Sequence, residues 1–201
     1  MNLNSGSVLF IAMIAGYLAG SIPFGVIFSR WMTRIDPRNS GSRNIGFTNV
    51  LRTAGRAPAV LTLIGDLGKG YLAVRFAQFL SIGEPGDWLA GIAAVMGHNY
   101  PVFLGFKGGK GVATGLGVLF GIQPLVGWMA VILWGGTVLL WRYSSLGAIV
   151  AFGASPLLVL YFRPAPLNVF FSLILTGLIL IRHATNIQRL RSGTEPKIGR
   201  A

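Results

Sequence analysis

Long uncharged runs alternate with short polar clusters along this chain. Residues 8–28 carry no charge over 21 positions. Residues 57–80 are apolar apart from Asp66, Lys69 and Arg75, and in 88–106 only His98 is a possible charge. Residues 112–141 form a 30-residue uncharged stretch, interrupted by Gln123-Pro124. Residues 146–162 and 164–181 complete the set. About 20 apolar residues of helix cross a bilayer core, so each run predicts a membrane-spanning helix. The first is read as a retained helix rather than a signal peptide: it lacks a charged leading segment, and further spans follow.

Charge decides how often residues 112–141 cross. Lys and Arg collect in cytoplasmic loops. Here 14 of the 17 basic residues fall in four regions: 29–56, 107–111, Arg142 and the tail from Arg182. All four can face one side only if 112–141 crosses twice, with its bend at Pro124, where the ring removes a backbone donor. Seven transmembrane helices result, with the N-terminus outside and the C-terminus cytoplasmic. The expected fold class is an all-α integral membrane protein, with 1–201 as a single polytopic domain. Val112–Ile122 then reaches only about half a bilayer at ~1.5 Å per residue. A recessed helix end is expected there, drawing the preceding loop inward.

Composition agrees. Hydrophobic residues make up 53% and charged residues 11% of the 201 positions, against about 25% charged in a typical soluble domain. That excludes an ordinary cytosolic enzyme and a disordered chain. Cysteine is absent, which removes disulfides and thiol chemistry. The net charge of +12 follows from basic cytoplasmic loops, and no basic soluble module suggests nucleic acid.

Three polar clusters carry candidate chemistry. Asn39-Ser-Gly-Ser-Arg-Asn-Ile-Gly-Phe-Thr-Asn49, followed by Val50-Leu51-Arg52, surrounds two arginines with small polar side chains. Glycine lets such a loop turn back, and Arg can grip a phosphate with two parallel hydrogen bonds. Gly105-Phe-Lys-Gly-Gly-Lys-Gly111 is suited to an oxyanion: glycines expose backbone N–H groups, Lys107 and Lys110 add charge, and the helix beginning at Val112 points its positive end at the site. Its spacing is not that of a Walker loop. Arg182-His183-Ala-Thr-Asn186 ends the last span, with His183 and Asn186 on one helical face. Ser145 opens a span near Arg142. Asp66 and Lys69 also share a face inside a span, and are read as a structural pair. His98 is read as an internal hydrogen-bonded His or a catalytic one.

Taken in order, these stretches resemble the bacterial acyl-phosphate-dependent glycerol-3-phosphate acyltransferases, the PlsY family. The resemblance is carried by Gly20-Ser-Ile-Pro-Phe-Gly25, Gly41-Ser42 through Thr48-Asn49-Val-Leu-Arg52, Asp66-Leu-Gly-Lys-Gly70, Gly97-His98 with Tyr100-Pro-Val-Phe103, Gly105 through Thr114, and Arg182-His183 with Asn186-Ile and Arg189-Leu190. It covers nearly the whole chain. It implies a seven-helix inner-membrane enzyme transferring a fatty acyl group from acyl phosphate to the 1-hydroxyl of sn-glycerol 3-phosphate, yielding lysophosphatidate and phosphate. By the resemblance, family roles carry onto Ser42 and Arg52, onto Gly108, Gly109 and Gly111, whose loop corresponds to the family's glycerol-phosphate-associated motif, and onto His183 and Asn186. Departures are Arg43 where Gly is common, Phe47 where Ala is common, and Ala184-Thr185 in place of an Arg-Glu pair. Glu195 is the carboxylate that could stand in for that Glu.

The chemistry suits this inventory. An acyl phosphate already carries a good leaving group, so positioning does much of the work, together with offsetting charge on the carbonyl oxygen and the departing phosphate. Direct transfer in a ternary complex is expected. Lys107, Lys110 and the glycine loop cradle phosphate, with Arg52 as a second clamp. Ser42, Asn49, Ser145 and Asn186 orient the substrates. His183 accepts the hydroxyl proton or binds glycerol phosphate; in the second case a substrate phosphate is the base. No metal or cofactor is called for. An H-x4-D motif is missing, since Phe103 and Gln188 follow the two histidines at that spacing. Partners are the two substrates, membrane lipid and, transiently, an acyl-phosphate-producing enzyme. The rival reading is a small transporter or channel for a phosphate-bearing solute; it expects polar groups near the midplane and related halves, neither of which the sequence displays.

Overall fold

The computed structural model describes residues 4–199. Among these residues the chain is all-helical, and it divides into two compact units at Ile122/Gln123.

The first unit contains α1 (Ser5–Ser21), α2 (Phe24–Thr33), α3 (Phe47–Ala54), α4 (Arg56–Phe79), α5 (Glu84–Asn99) and α6 (Val112–Ile122). Asn4 caps α1, its Oδ1 accepting the Ser7 N–H at 2.8 Å. The uncharged run 8–28, expected as one helix, is broken at Ile22-Pro23. Proline cannot donate there, and it disfavours helix at the residue before it. The basic segment 29–56, expected as a loop, contains the whole of α3. Helix α1 lies on α5, and α4 packs on α6, α5, α1, α2 and α3.

Small residues set these distances. A methyl group at Gly20 would run into the Ala94 carbonyl of α5; one at Gly97 would strike the Tyr17 carbonyl of α1. Gly70 and Gly117 allow the same approach between α4 and α6. In lipid, apolar surface alone does not drive helices together, so such close backbone packing carries the association. Trp88, Val74, Val95, Val118 and Leu119 fill the interior.

The second unit contains α7 (Pro124–Trp141), α8 (Ser144–Phe162), α9 (Pro166–Arg182) and α10 (Ala184–Arg191). Helix α8 contacts both α7 and α9, and α10 touches α8 and α9. Pro156 lies inside α8 and leaves the Phe152 carbonyl without its helical donor. Ser155 Oγ at 2.9 Å and Thr176 Oγ1 of α9 at 2.8 Å donate to it instead. This is how a buried helix tolerates proline where water is excluded.

Among the described residues, three helical segments are long and apolar enough to cross a membrane: Ser5–Thr33 with its break, α7 and α8. The α9–α10 pair, bent by 61°, makes a fourth if counted as one span. Large apolar side chains such as Phe79, Ile132, Leu139 and Leu157 point outward, as lipid-facing surface requires. The break at Gln123-Pro124 falls where the sequence places it, and α6 is the expected short helix of 11 residues.

Candidate active site

In the first unit, the 34–46 loop is built around two side chains. Asp36 accepts from Arg38 Nη2 and from Arg30 Nη2, each at 2.7 Å. The hydrogen-bonded Arg38 guanidinium, reinforced by the Arg30 charge, holds this carboxyl far below the usual carboxylate range. Asn49 of α3 is buried, and its side chain closes the loop. Its Oδ1 accepts the Ser42 N–H at 2.8 Å; its Nδ2 donates to the carbonyls of Asn44 (2.8 Å), Pro37 (2.9 Å) and Ser40 (3.1 Å). Asn49 thus shapes the loop and fixes Ser42, rather than reaching outward. A Cβ at Gly41 would collide with Asn49 Oδ1. Arg43 sits at φ +57°, a left-handed conformation that suits glycine. Ser42 and Arg52 are exposed.

The glycine–lysine loop folds back against the end of α5. The Gly109 N–H donates to the His98 carbonyl at 3.0 Å. A Cβ at Gly108 would strike the His98 carbonyl and the Pro101 ring; one at Gly109 would strike the His98 imidazole. Gly111 has φ +82° and leads into α6. These glycines therefore satisfy a packing demand, and the Gly109 N–H is spent on anchoring the loop to the His98 carbonyl. Lys107 is exposed and Lys110 half-buried.

In the second unit, His183 occupies the break between α9 and α10 and is buried, with Nδ1 2.8 Å from the Ile179 carbonyl. Glu195, in the tail after α10, gathers the other candidates. Its Oε1 accepts from Ser145 Oγ and from Asn186 Nδ2, each at 2.6 Å, and its Oε2 from Arg189 Nε at 2.7 Å. Burial works against ionisation, but the hydrogen bonds from Ser145, Asn186 and Arg189 outweigh it and keep the carboxyl below its ordinary value. The tail is pinned nearby: Ile198 N donates to the Arg142 carbonyl at 2.7 Å, and Arg142 Nη2 returns a bond to Ile198 O at 2.9 Å.

The structure thus joins Ser42 to Asn49 in one unit, and Ser145 to Asn186 in the other. The junction of the second pair, Glu195, entered the sequence reading only as a stand-in carboxylate. Its nine-residue separation from Asn186 and fifty from Ser145 give no periodic signal. The contact of His98 with Gly109 was equally hidden.

Helices with lipid-facing apolar surfaces, joined by polar loops rich in Gly, Lys and Arg, define a multi-pass membrane protein. The family model described as Glycerol-3-phosphate acyltransferase matches residues 10–193. Glycerol-3-phosphate acyltransferases of Nitrosospira multiformis and Jannaschia sp. are similar at 43% identity (96% of this chain, 97% of the relative) and 47% (98% and 96%). The crystal structure of PlsY (YgiH), an integral membrane glycerol 3-phosphate acyltransferase, in its glycerol 3-phosphate form superposes with a TM-score of 0.90 at 38% identity, covering 95% of this chain and 96% of that one. Its lysophosphatidic acid form gives 0.88 at 37%, covering 95% of each. The chain belongs to the glycerol-3-phosphate acyltransferase family.

Proposed function

We propose that this protein transfers a fatty acyl group from acyl phosphate to the 1-hydroxyl of sn-glycerol 3-phosphate, giving lysophosphatidate and inorganic phosphate, the first acylation of phospholipid synthesis. The observation that carries this reading is the similarity, over 95% of the chain, to a protein solved in both a glycerol 3-phosphate and a lysophosphatidic acid form. The acyl-phosphate donor is supported by a second feature. Two phosphate-bearing substrates call for two cationic sites, and the chain offers Arg52 in one cluster and Lys107 and Lys110 in another.

The step balances simply. The 1-hydroxyl oxygen bonds to the acyl carbon, the carbon–oxygen bond to phosphate breaks, and phosphate leaves with that electron pair. The hydroxyl proton goes to His183 Nε2 or to a substrate phosphate oxygen. The loop of Gly108, Gly109 and Gly111, with both lysines, holds phosphate, the Gly109 N–H anchoring it to the His98 carbonyl; Arg52 is the second clamp. Ser42, Ser145 and Asn186 orient the substrates, with Asn49 and Glu195 fixing three of these positions. The chain acts as one polytopic domain, 1–201, consistent with a family match that runs across both units. It sits in the bacterial inner membrane with seven spans, its N-terminus outside and the chemistry at the cytoplasmic face, where an acyl-phosphate-producing enzyme docks transiently.

The test is phosphate release by purified protein given acyl phosphate, with and without sn-glycerol 3-phosphate. Release that depends on glycerol phosphate and yields lysophosphatidate is the expected result. Turnover with acyl-CoA or an acyl-carrier thioester, but not with acyl phosphate, would overturn the donor assignment.

A further inference from the structure

Three ionisable side chains in the first unit take no part in the proposed reaction, although all are buried: Asp66, Lys69 and His98 are each no more than 4% exposed. Charge inside a membrane helix is expensive. A buried ion pair is often no more stabilising than an apolar pair of the same volume. Stability alone is therefore a weak reason for this cluster.

Its connections give a better one. Lys69 Nζ lies 2.8 Å from Asp66 Oδ1 and donates to the Ile22 carbonyl at 2.9 Å, at the break between α1 and α2. Asp66 Oδ1 is 3.5 Å from His98 Nδ1. The opposite edge of the same imidazole, Nε2, faces Gly109, and the His98 carbonyl accepts the Gly109 N–H. Gly108 rests on that carbonyl as well. One residue thus meets the glycine loop through both its ring and its backbone, while the ion pair stands on the ring's other side. A pair that merely neutralised itself would need no imidazole between it and the loop.

We propose that Asp66, Lys69 and His98 are positioning residues for the glycine–lysine loop, setting its geometry for the phosphate-bearing substrate from behind. The proposal rests on the reading of that loop as the glycerol-phosphate site. The cluster does not touch the reacting atoms, so its removal weakens glycerol phosphate binding and leaves chemistry at saturation largely intact.

The test measures kcat and both KM values on the purified full chain for His98→Gln and Asp66→Asn, with Lys107→Ala and Lys110→Ala as loop references. His98→Gln and Asp66→Asn should raise KM for sn-glycerol 3-phosphate about tenfold, with kcat and KM for acyl phosphate changing less than about threefold. Folded His98→Gln protein with an unchanged KM for glycerol phosphate, or with the loss confined to kcat, overturns the proposal. If the lysine variants also leave that KM unchanged, the phosphate-loop reading itself has failed. Should the His98 variant not fold, the wild-type protein still decides. The chain has only two histidines, and His183→Asn assigns their imidazole nitrogen signals. Saturation with sn-glycerol 3-phosphate must shift the His98 signal; a stationary signal overturns the proposal.

Discussion

A carbonyl oxygen can only accept, so the 2.8 Å contact between His183 Nδ1 and Ile179 O puts the proton on Nδ1. In the neutral ring the lone pair then sits on Nε2, the tautomer a general base requires. Replacing His183 with Asn separates the two destinations of the hydroxyl proton. If His183 is the base, kcat falls by about 10²–10⁴ and the limb of its pH profile due to the imidazole disappears. If a substrate phosphate is the base, the loss falls mainly on KM for glycerol phosphate and the limb persists. Glu195 makes a second prediction. Its folded value lies below the ordinary 4.5, so its contribution to stability is present above that value and lost as pH falls through the folded one. Glu195→Gln should cost about 2 kcal/mol at pH 7 in thermal unfolding. The gap to wild type should narrow below about pH 4.5, and a gap that widened on acidification would contradict the assignment. At this scale much of the site was legible as residue types but not as partners. Asn49 was expected to orient substrate, yet its amide is occupied by carbonyls of its own loop, whose path no spacing reveals.

Elements were more legible, because proline and glycine punctuate them locally. The break at Gln123-Pro124 and the short α6 follow from residues within one turn of each other. The break at Pro23 carried the same local signal, but residues 8–28 are only 21 positions, the length of a single span, so nothing called for a second helix there. What hydropathy cannot register is which glycines are contacts. Gly20 and Gly153 look alike in the sequence, yet a methyl at Gly20 meets the Ala94 carbonyl, whereas one at Gly153 meets nothing within 4 Å. Gly20→Ala should therefore destabilise the α1–α5 pair by about 1–3 kcal/mol, the usual cost of overpacking. Gly153→Ala should be neutral or stabilising by up to about 1 kcal/mol, since Ala loses less backbone freedom than Gly. Thermal unfolding of both variants in the same detergent checks the ordering, and equal effects would mean that the seam does not govern stability.

For the whole molecule, the open quantity is how often the chain crosses the bilayer. Among the described residues, hydropathy and length pick out three spans, or four with the bent pair. The seven-span reading adds α4, with its internal charges, α5, which runs into a polar turn, and α6, which rises only about 16 Å. The added spans fall short for reasons visible in the fold: α4 carries Asp66 and Lys69, which neutralise one another inside the protein, while α5 and α6, with 16 and 11 residues, are short, and the apolar α6 is covered by α4 and α5. Membrane residues that face protein need not be apolar. The absence of native cysteine makes the count directly measurable with single introduced cysteines and an impermeant thiol reagent on intact cells. Lys107→Cys and Arg142→Cys bracket the disputed stretch and are both exposed. Two crossings place both on the cytoplasmic side, so both should stay unlabelled until the cells are opened. Ser5→Cys and Pro164→Cys should label from outside. One crossing of 112–141 would put positions 107 and 142 on opposite faces, so exactly one of them would react in intact cells.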